Sequence, residues 1–264
     1  MSRLSLILRR FSASQNRTKT SIWPGPPILF LHMPKTAGTS FRKMLQASLG
    51  MNAVYPSDEE LSIRPNGWYP SEAEILETFP SLRPYFCITG HFSAAIAERL
   101  PRHHRTAVFL RDPSQRSLST LAHFYHTTGT PPDRLLDDET FVTRCIRNRQ
   151  TILLGSDGFH TPPAGDTRIL DRALDVVDAF DFVGLTERFR ESCMLFDSTF
   201  GTMIGAAVKK ENVLRPNGTE FSGLLPRILP LIDLDRVLYE RARERFKIDI
   251  QRLQTDTTLM HQVA

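Results

Sequence analysis

Cysteine is scarce: the 264 residues contain three, Cys87, Cys145 and Cys193. They are odd in number and far apart, and no Cys-x-x-Cys occurs, so neither a disulfide framework nor a zinc site is expected. Small buried thiols are the plain reading. No apolar run reaches about 18 residues, so no membrane-spanning helix is expected. Leu4 to Leu8 is the best N-terminal candidate for a signal peptide, and it is too short for the apolar core of one. No period of roughly 20 to 50 residues recurs, which argues against a solenoid. Acid is absent from the start: the first acidic residue is Asp58, while Arg3, Arg9, Arg10, Arg17, Lys19, Lys35, Arg42 and Lys43 precede it. We read residues 1–26 as a basic, disordered leader, with an organelle transit peptide as the lesser alternative.

What is present fits an ordinary globular protein, with 41% hydrophobic and 23% charged residues,. At about 150 residues per domain the length suits one large domain or two small ones. A chain of this size buries roughly three quarters of its unfolded surface and needs no metal or disulfide staple. The formal charge of +4 suits anionic ligands without selecting a class. Three prolines between Trp23 and Ile28 end the leader,. Short apolar runs then recur at Ile28 to Met33, Tyr85 to Thr89, Thr106 to Leu110, Asp181 to Leu185 and Glu211 to Leu214, as in buried parallel strands,.

Helical patterns lie between these runs. Phe41, Leu45 and Leu49 form one, Leu118, Leu121, Ala122 and Tyr125 the next, then Leu170, Leu174 and Val177, and Phe189, Met194 and Leu195. The last is the clearest, with Leu231, Leu234, Leu238, Ala242 and Phe246 on one stripe and Arg236, Glu240, Arg243 and Glu244 facing water,. The alternation predicts an α/β fold, three-layer and P-loop-like, with a central, mainly parallel sheet flanked by helices. Residues 52–84 read as an excursion carrying a short helix near Glu72 to Phe79, and residues 127–137 as a loop. No linker divides the chain, so residues 27–264 form one domain.

Two strand-to-helix junctions carry the chemistry. In Leu31-His-Met-Pro-Lys-Thr-Ala-Gly-Thr-Ser-Phe41, Pro34 stops the strand, Gly38 permits a tight turn and Thr39 or Ser40 can cap the helix,. Backbone N–H groups from Thr36 to Ser40 would converge at a helix N-terminus, a site for phosphate or sulfate, with Lys35 adding a point charge. This is not a Walker A loop, because the lysine precedes the glycine. An ordinary turn with a surface lysine is the plainer reading. In Phe109-Leu-Arg-Asp-Pro-Ser-Gln-Arg-Ser-Leu-Ser119, Asp112 or Ser114 can begin a helix with Pro113 in its first turn,. Arg111 would stand at a strand's carboxyl end, where open α/β sheets bind ligands. A guanidinium fork with the Ser119 hydroxyl suits a phosphate; an Arg-Asp pair at a helix start is the simpler alternative.

Taken together, Pro-Lys-Thr-Ala-Gly-Thr-Ser and Arg-Asp-Pro-x-x-Arg-x-x-Ser resemble the sulfotransferases that use 3′-phosphoadenosine 5′-phosphosulfate. The likeness is to the branch containing the heparan sulfate 2-O- and 6-O-sulfotransferases. Asn148-Arg-Gln-Thr151, Phe182-Val-Gly-Leu-Thr-Glu-Arg-Phe189 and Asp235-Arg-Val-Leu-Tyr239 are similar to further segments of that branch, and the likeness covers about residues 27–247. It implies that Lys35, Thr36, Ala37, Gly38, Thr39 and Ser40 hold the 5′-phosphosulfate, and that Arg111 and Ser119 hold the 3′-phosphate. The Gly90-His91 pair resembles the segment carrying the branch's histidine base, with Thr89 where the branch often has a first histidine. His91 is therefore the candidate base, with a substrate-orienting or structural role as the alternative.

His32, on a buried strand, is expected to be a hydrogen-bonded core residue. His123 and His126, without carboxylate or cysteine company, make a poor metal site. Asn148 and Gln150 either line an acceptor cleft or are helix-surface polar residues, and Thr186 to Arg188 can be a capped helix start. Arg144, Arg147 and Arg149 could form a basic face.

The expected activity is sulfuryl transfer to a hydroxyl, on a carbohydrate acceptor, with His91 as base and Lys35 stabilising the leaving phosphate. Neither a metal nor nucleic acid is called for. A nucleotide-dependent kinase and an inactive nucleotide- or glycan-binding module on the same fold are the rivals. Animal relatives carry a membrane anchor, which this sequence lacks, so a soluble, cytoplasmic protein is expected.

Overall fold

The computed structural model describes residues 25–64, 69–82, 84–101, 103–158, 167–205 and 219–263, with side chains through residue 255. Five strands are described: β1 (Ile28–Leu31), β2 (Val54–Tyr55), β3 (Cys87–Gly90), β4 (Arg105–Leu110) and β5 (Phe182–Leu185). All pair in parallel, in the order β2-β3-β1-β4-β5. Every residue of β1 is buried, as expected for a central strand covered on both faces. The helices of seven or more residues are α1 (Gly38–Leu49), α2 (Glu72–Leu82), α3 (Pro113–Thr128), α4 (Arg149–Gly155), α5 (Ile169–Ala179), α6 (Phe189–Phe200) and α7 (Asp233–Val263). This is an α/β fold with a parallel central sheet flanked by helices. Among the described residues no helix is long and apolar enough to cross a membrane.

The strand order locates the ligand edge. From β1 the chain goes out to β2, returns to β3 beside β1, then crosses to β4 on the other flank. Connections that diverge to opposite sides leave a crevice beyond the carboxyl ends of the strands between them, here β1 and β4. One aromatic cluster secures α1 and α6 to this part of the sheet. Phe41 of α1 lies 5.1 Å from Phe30, 4.9 Å from Phe109 and 4.8 Å from Phe196, ring centre to ring centre. Phe182 lies 5.2 Å from Phe196. Such pairs add about 0.5–1.5 kcal/mol each beyond the area they bury.

The four predicted strands that fall within the described residues match the structure, as does the apolar stripe of the last helix at Leu238, Ala242 and Phe246, all buried, while Leu231 lies before that helix. Elsewhere it differs. Residues 127–137 are not a free loop: α3 runs to Thr128 and stops at Gly129, whose φ is 73°. Pro132–Asp137 then forms a helical turn whose Leu135 and Leu136 enter a small second core with Leu118, Leu121, Ile146 and Ile228. The 52–84 excursion contributes the edge strand β2. It is fastened by buried Arg42, which donates to Asp58 at 2.5 Å and to the Pro56 carbonyl at 2.6 Å. Leu49, Tyr125 and Met194, expected on apolar faces, are exposed. The strand expected at Glu211 to Leu214 and most of the leader, residues 1–24, lie outside the described residues.

Two distant segments cap each other. Asn148, at φ 41°, precedes α4, and its Oδ1 accepts from the N–H groups of Leu234 (3.0 Å) and Asp235 (3.3 Å) in the first turn of α7. Asp235, wholly buried, accepts in return from Thr151 N–H (2.7 Å), Thr151 Oγ1 (2.8 Å) and Gln150 N–H (3.2 Å) in the first turn of α4. Each side chain satisfies donors that the other helix leaves open. The Arg116 and Arg149 guanidinium groups are close enough to act electrostatically on Asp235 or be acted on by it. Asp235→Ala would strand three donors and remove a carboxylate facing buried cations. A loss of about 3–5 kcal/mol is expected, read from urea unfolding; a loss below about 1 kcal/mol would show that these bonds are dispensable.

Candidate functional site

The site begins where β1 and β3 end. His32 N–H donates to the Gly90 carbonyl at 3.0 Å, which carries the pairing of the two strands one step further. This sets the His32 and His91 rings 5.2 Å apart, and Tyr69 packs 4.5 Å from the first and 4.7 Å from the second. The loop bearing His91 is fixed just beyond it. Ser93 donates through its backbone N–H (2.6 Å) and hydroxyl (2.8 Å) to Glu72, and Ala94 N–H donates to the Leu153 carbonyl at 2.9 Å.

The Pro34 to Ala37 turn follows. Gly38 was expected to supply its unusual backbone, but positive φ falls on Lys35 (70°) and Ala37 (72°) instead. Each such residue costs about 1–3 kcal/mol and persists only where neighbours impose it. Two hydrogen bonds do so here. Arg111 Nη1 donates to the Lys35 carbonyl at 3.1 Å, and Thr36 Oγ1 donates to the Met33 carbonyl at 3.0 Å. Alternation of φ sign over successive residues turns backbone N–H groups into one concavity, an anion-binding nest. Gly38 is needed for close approach: a Cβ there would lie 2.0 Å from His32 Cδ2.

The helix start is open. Ala37 stands at the N-cap of α1 and offers no side-chain acceptor, and the first turn carries no acid. Neither Thr39, which is exposed, nor Ser40 caps it, contrary to expectation. The N–H groups of Gly38, Thr39 and Ser40 therefore have no intrahelical acceptor and lie at the positive end of the helix. The Thr36 hydroxyl is turned inward to Met33, so Thr36 presents its backbone rather than its side chain.

Arg111 is the best-held residue of the site. It is 8% exposed, and its Nε lies 3.9 Å from Glu187. Its backbone is clamped by the Gln150 amide, which accepts from Arg111 N–H at 3.0 Å and donates to the Arg111 carbonyl at 2.8 Å. The next residue, Asp112, caps α3 as expected by accepting from Gln115 N–H at 2.9 Å. Its own N–H donates to Glu187 (3.0 Å), which also accepts from the Tyr239 hydroxyl at 2.6 Å. Burial, and then Arg111, hold the Lys35 ammonium below its ordinary pKa. Lys35 in turn depresses His123, next after burial, so the Lys35 ammonium lies within electrostatic reach of both Arg111 and His123. Ser119 is buried nearly two turns into α3, and no hydrogen bond joins it to Arg111.

Several expectations change. Gln150 is wholly buried and Asn148 is a cap, so neither lines a cleft. Arg149 is buried while Arg144 is exposed and Arg147 pairs with Glu139 at 3.0 Å, so the three arginines share no face. Glu187 braces the Arg111 segment rather than simply starting a helix. Thr89 is fully buried. His32 is not a hydrogen-bonded core residue at Nδ1, which is buried without a partner among the described residues. Sequence reasoning missed Tyr69, Glu187 and Tyr239 as neighbours of the site. Cys87 and Cys193 are buried and all three cysteines are unpaired, as read.

Among the described residues no group of three His, Cys, Asp or Glu gathers in metal-binding fashion. An open groove beside α5 and α7, lined by Asp178, Arg236, Glu240 and Arg241, shares no residue with the site.

No family model matches the chain. Flavin-dependent L-tryptophan oxidase RebO of Lentzea aerocolonigenes is 28% identical over 107 residues, which is 40% of this chain. The match spans 22% of that protein's length. No Gly-x-Gly-x-x-Gly pattern occurs in this sequence.

Burial, and next Arg149, hold His91 down at about 4. Burial, and next His91 and Arg42, hold His32 at about 3. Both are neutral at pH 7. With folded values below the ordinary 6.5, they contribute stability that is complete above pH 6.5 and is lost as pH falls toward 4 and 3. The urea midpoint should fall between pH 6.5 and 5, and His32→Phe should flatten that fall. An identical slope in the variant would show that His32 is not held neutral.

Proposed function

We propose that this chain transfers a sulfuryl group from 3′-phosphoadenosine 5′-phosphosulfate to a hydroxyl on a carbohydrate acceptor. One observation carries the reading: the Lys35 turn, the Arg111 guanidinium and a neutral imidazole at His91 each follow the carboxyl end of one of three adjacent strands. The resemblance of the two junction motifs to that family of sulfotransferases supplies the donor and the acceptor class.

In this scheme the nest at Lys35 to Ala37 and the N–H groups of Gly38, Thr39 and Ser40 hold the 5′-phosphosulfate. Arg111, with Ser119 on the following helix, takes the 3′-phosphate. The acceptor oxygen forms a bond to sulfur as the bond from sulfur to the 5′-phosphate oxygen breaks. The acceptor proton passes to His91, and 3′,5′-adenosine bisphosphate leaves. Lys35 neutralises charge developing on the leaving phosphate. Little covalent chemistry is asked of the protein; positioning and charge stabilisation dominate, as in phosphoryl transfer. A neutral His91 is in the protonation state a base requires.

Calorimetric titration with 3′,5′-adenosine bisphosphate should give micromolar binding, with ATP bound at least tenfold more weakly. Preference for ATP would favour a kinase, and binding of neither would favour an inactive module. In a sulfotransfer assay Lys35→Ala should reduce turnover by more than about tenfold while the melting temperature stays close to that of the parent. Unchanged turnover would remove Lys35 from the chemistry.

A further inference from the structure

We infer that Gln150 is a positioning residue for Arg111, and that Asp235 holds it in that role from the C-terminal helix. The inference rests on the proposed donor reading, in which Arg111 takes the 3′-phosphate.

The geometry is that of a missing strand. β4 ends at Leu110 and the N-cap of α3 is Asp112, so Arg111 sits between ladder and helix with its backbone N–H and C=O outside both. Buried backbone groups need partners, and the Gln150 side chain supplies both, accepting at 3.0 Å and donating at 2.8 Å. Among side chains in their ordinary charge state, only an amide offers an acceptor and a donor side by side; a carboxyl group does so only when protonated. Glutamate would accept from the N–H but set an anionic oxygen against the Arg111 carbonyl, and an apolar residue would leave both groups bare. With both ends of the Arg111 peptide fixed, the direction of its side chain is limited to the few rotamers its backbone permits.

Gln150 is itself held. Its N–H donates to Asp235 at 3.2 Å, beside the two bonds from Thr151, and Asn148 fixes Asp235 through its backbone N–H. The chain of contacts runs from Asp235 to Gln150 to Arg111 and, through the guanidinium, to the Lys35 carbonyl. Gln150 is wholly buried, so it acts through Arg111 and touches no ligand.

The test is calorimetric titration of the parent, Gln150→Glu, Gln150→Met, Arg111→Ala and Arg111→Ala/Gln150→Met with 3′,5′-adenosine bisphosphate and with adenosine 5′-monophosphate, which lacks the 3′-phosphate. Loss of the clamp should weaken bisphosphate binding by about tenfold or more, and monophosphate binding, which depends on Arg111 only through the Lys35 carbonyl, by a clearly smaller factor. In the Arg111→Ala background Gln150→Met should add nothing, because the residue acts only through Arg111. A merely structural role would weaken both nucleotides by the same factor and persist in the double variant, which would overturn the inference. A parental preference for the bisphosphate that survives in the folded Gln150 variants would overturn it alone. Equal affinity of the parent for the two nucleotides would remove the 3′-phosphate role of Arg111 and this inference with it. Where Gln150→Met does not fold, the near-isosteric Gln150→Glu carries the comparison, titrated at two pH values because a protonated carboxyl would restore the clamp and an ionised one would not.

Discussion

The hydrogen bond from the Arg111 guanidinium to the Lys35 carbonyl joins segments 76 residues apart, and the shape of the site depends on it. Lys35 and Ala37 both adopt a backbone conformation that side-chain-bearing residues avoid,. Left to itself such a turn would relax and its N–H groups would scatter. Anchoring the Lys35 carbonyl on a cation from the neighbouring strand keeps the carbonyl on one side and leaves the amides for the other. In the proposed reading the same guanidinium is both a scaffold for one half of the anion site and the group that takes the 3′-phosphate in the other.

A buried cation needs more than one purpose. Burial pushes Arg111 below its ordinary pKa, while Glu187 and then Asp112 act in the opposite direction. Arg116, deeper still, donates to the carbonyls of Cys145 (2.8 Å) and Ile146 (3.3 Å). Lys35, Arg111 and Arg116 gather here, and the carboxylates that act on the two arginines are Glu187, Asp112 and Asp235. In the proposed reading this local gathering of cations, rather than the modest formal charge of the whole chain, draws an anion to the crevice.

Much of this was legible in the sequence where the signal was local. Apolar runs of strand length gave the sheet, Pro34 gave the end of β1, and Asp112-Pro113 gave the start of α3, because turn and cap chemistry act over three or four residues. The roles of Asn148, Gln150, Glu187 and Asp235 were not legible. Their partners lie 39 to 87 residues away, and nothing in a helix-start pattern says which distant backbone a buried amide will meet. Gly38 was recognised as necessary for the wrong reason: the constraint is the His32 ring against its Cα, a contact only tertiary packing creates. His32 itself read as core because its strand is apolar, and its neighbour across the sheet, His91, sits 59 positions on.

That juxtaposition bears on how the proposed chemistry would be ordered. Two imidazoles beside the positive end of α1, with Arg149 near one and Arg42 near the other, lie in a field that opposes protonation. A base held at about 4 accepts a proton poorly. An anion held in the nest would add a negative charge to that field and so favour the imidazolium. In the proposed reaction His91 would then gain basicity when the donor is bound, the only state in which removing the acceptor's proton leads to transfer. The burial and positive field that keep the free imidazole neutral would thereby tie its activation to occupancy of the loop beside it.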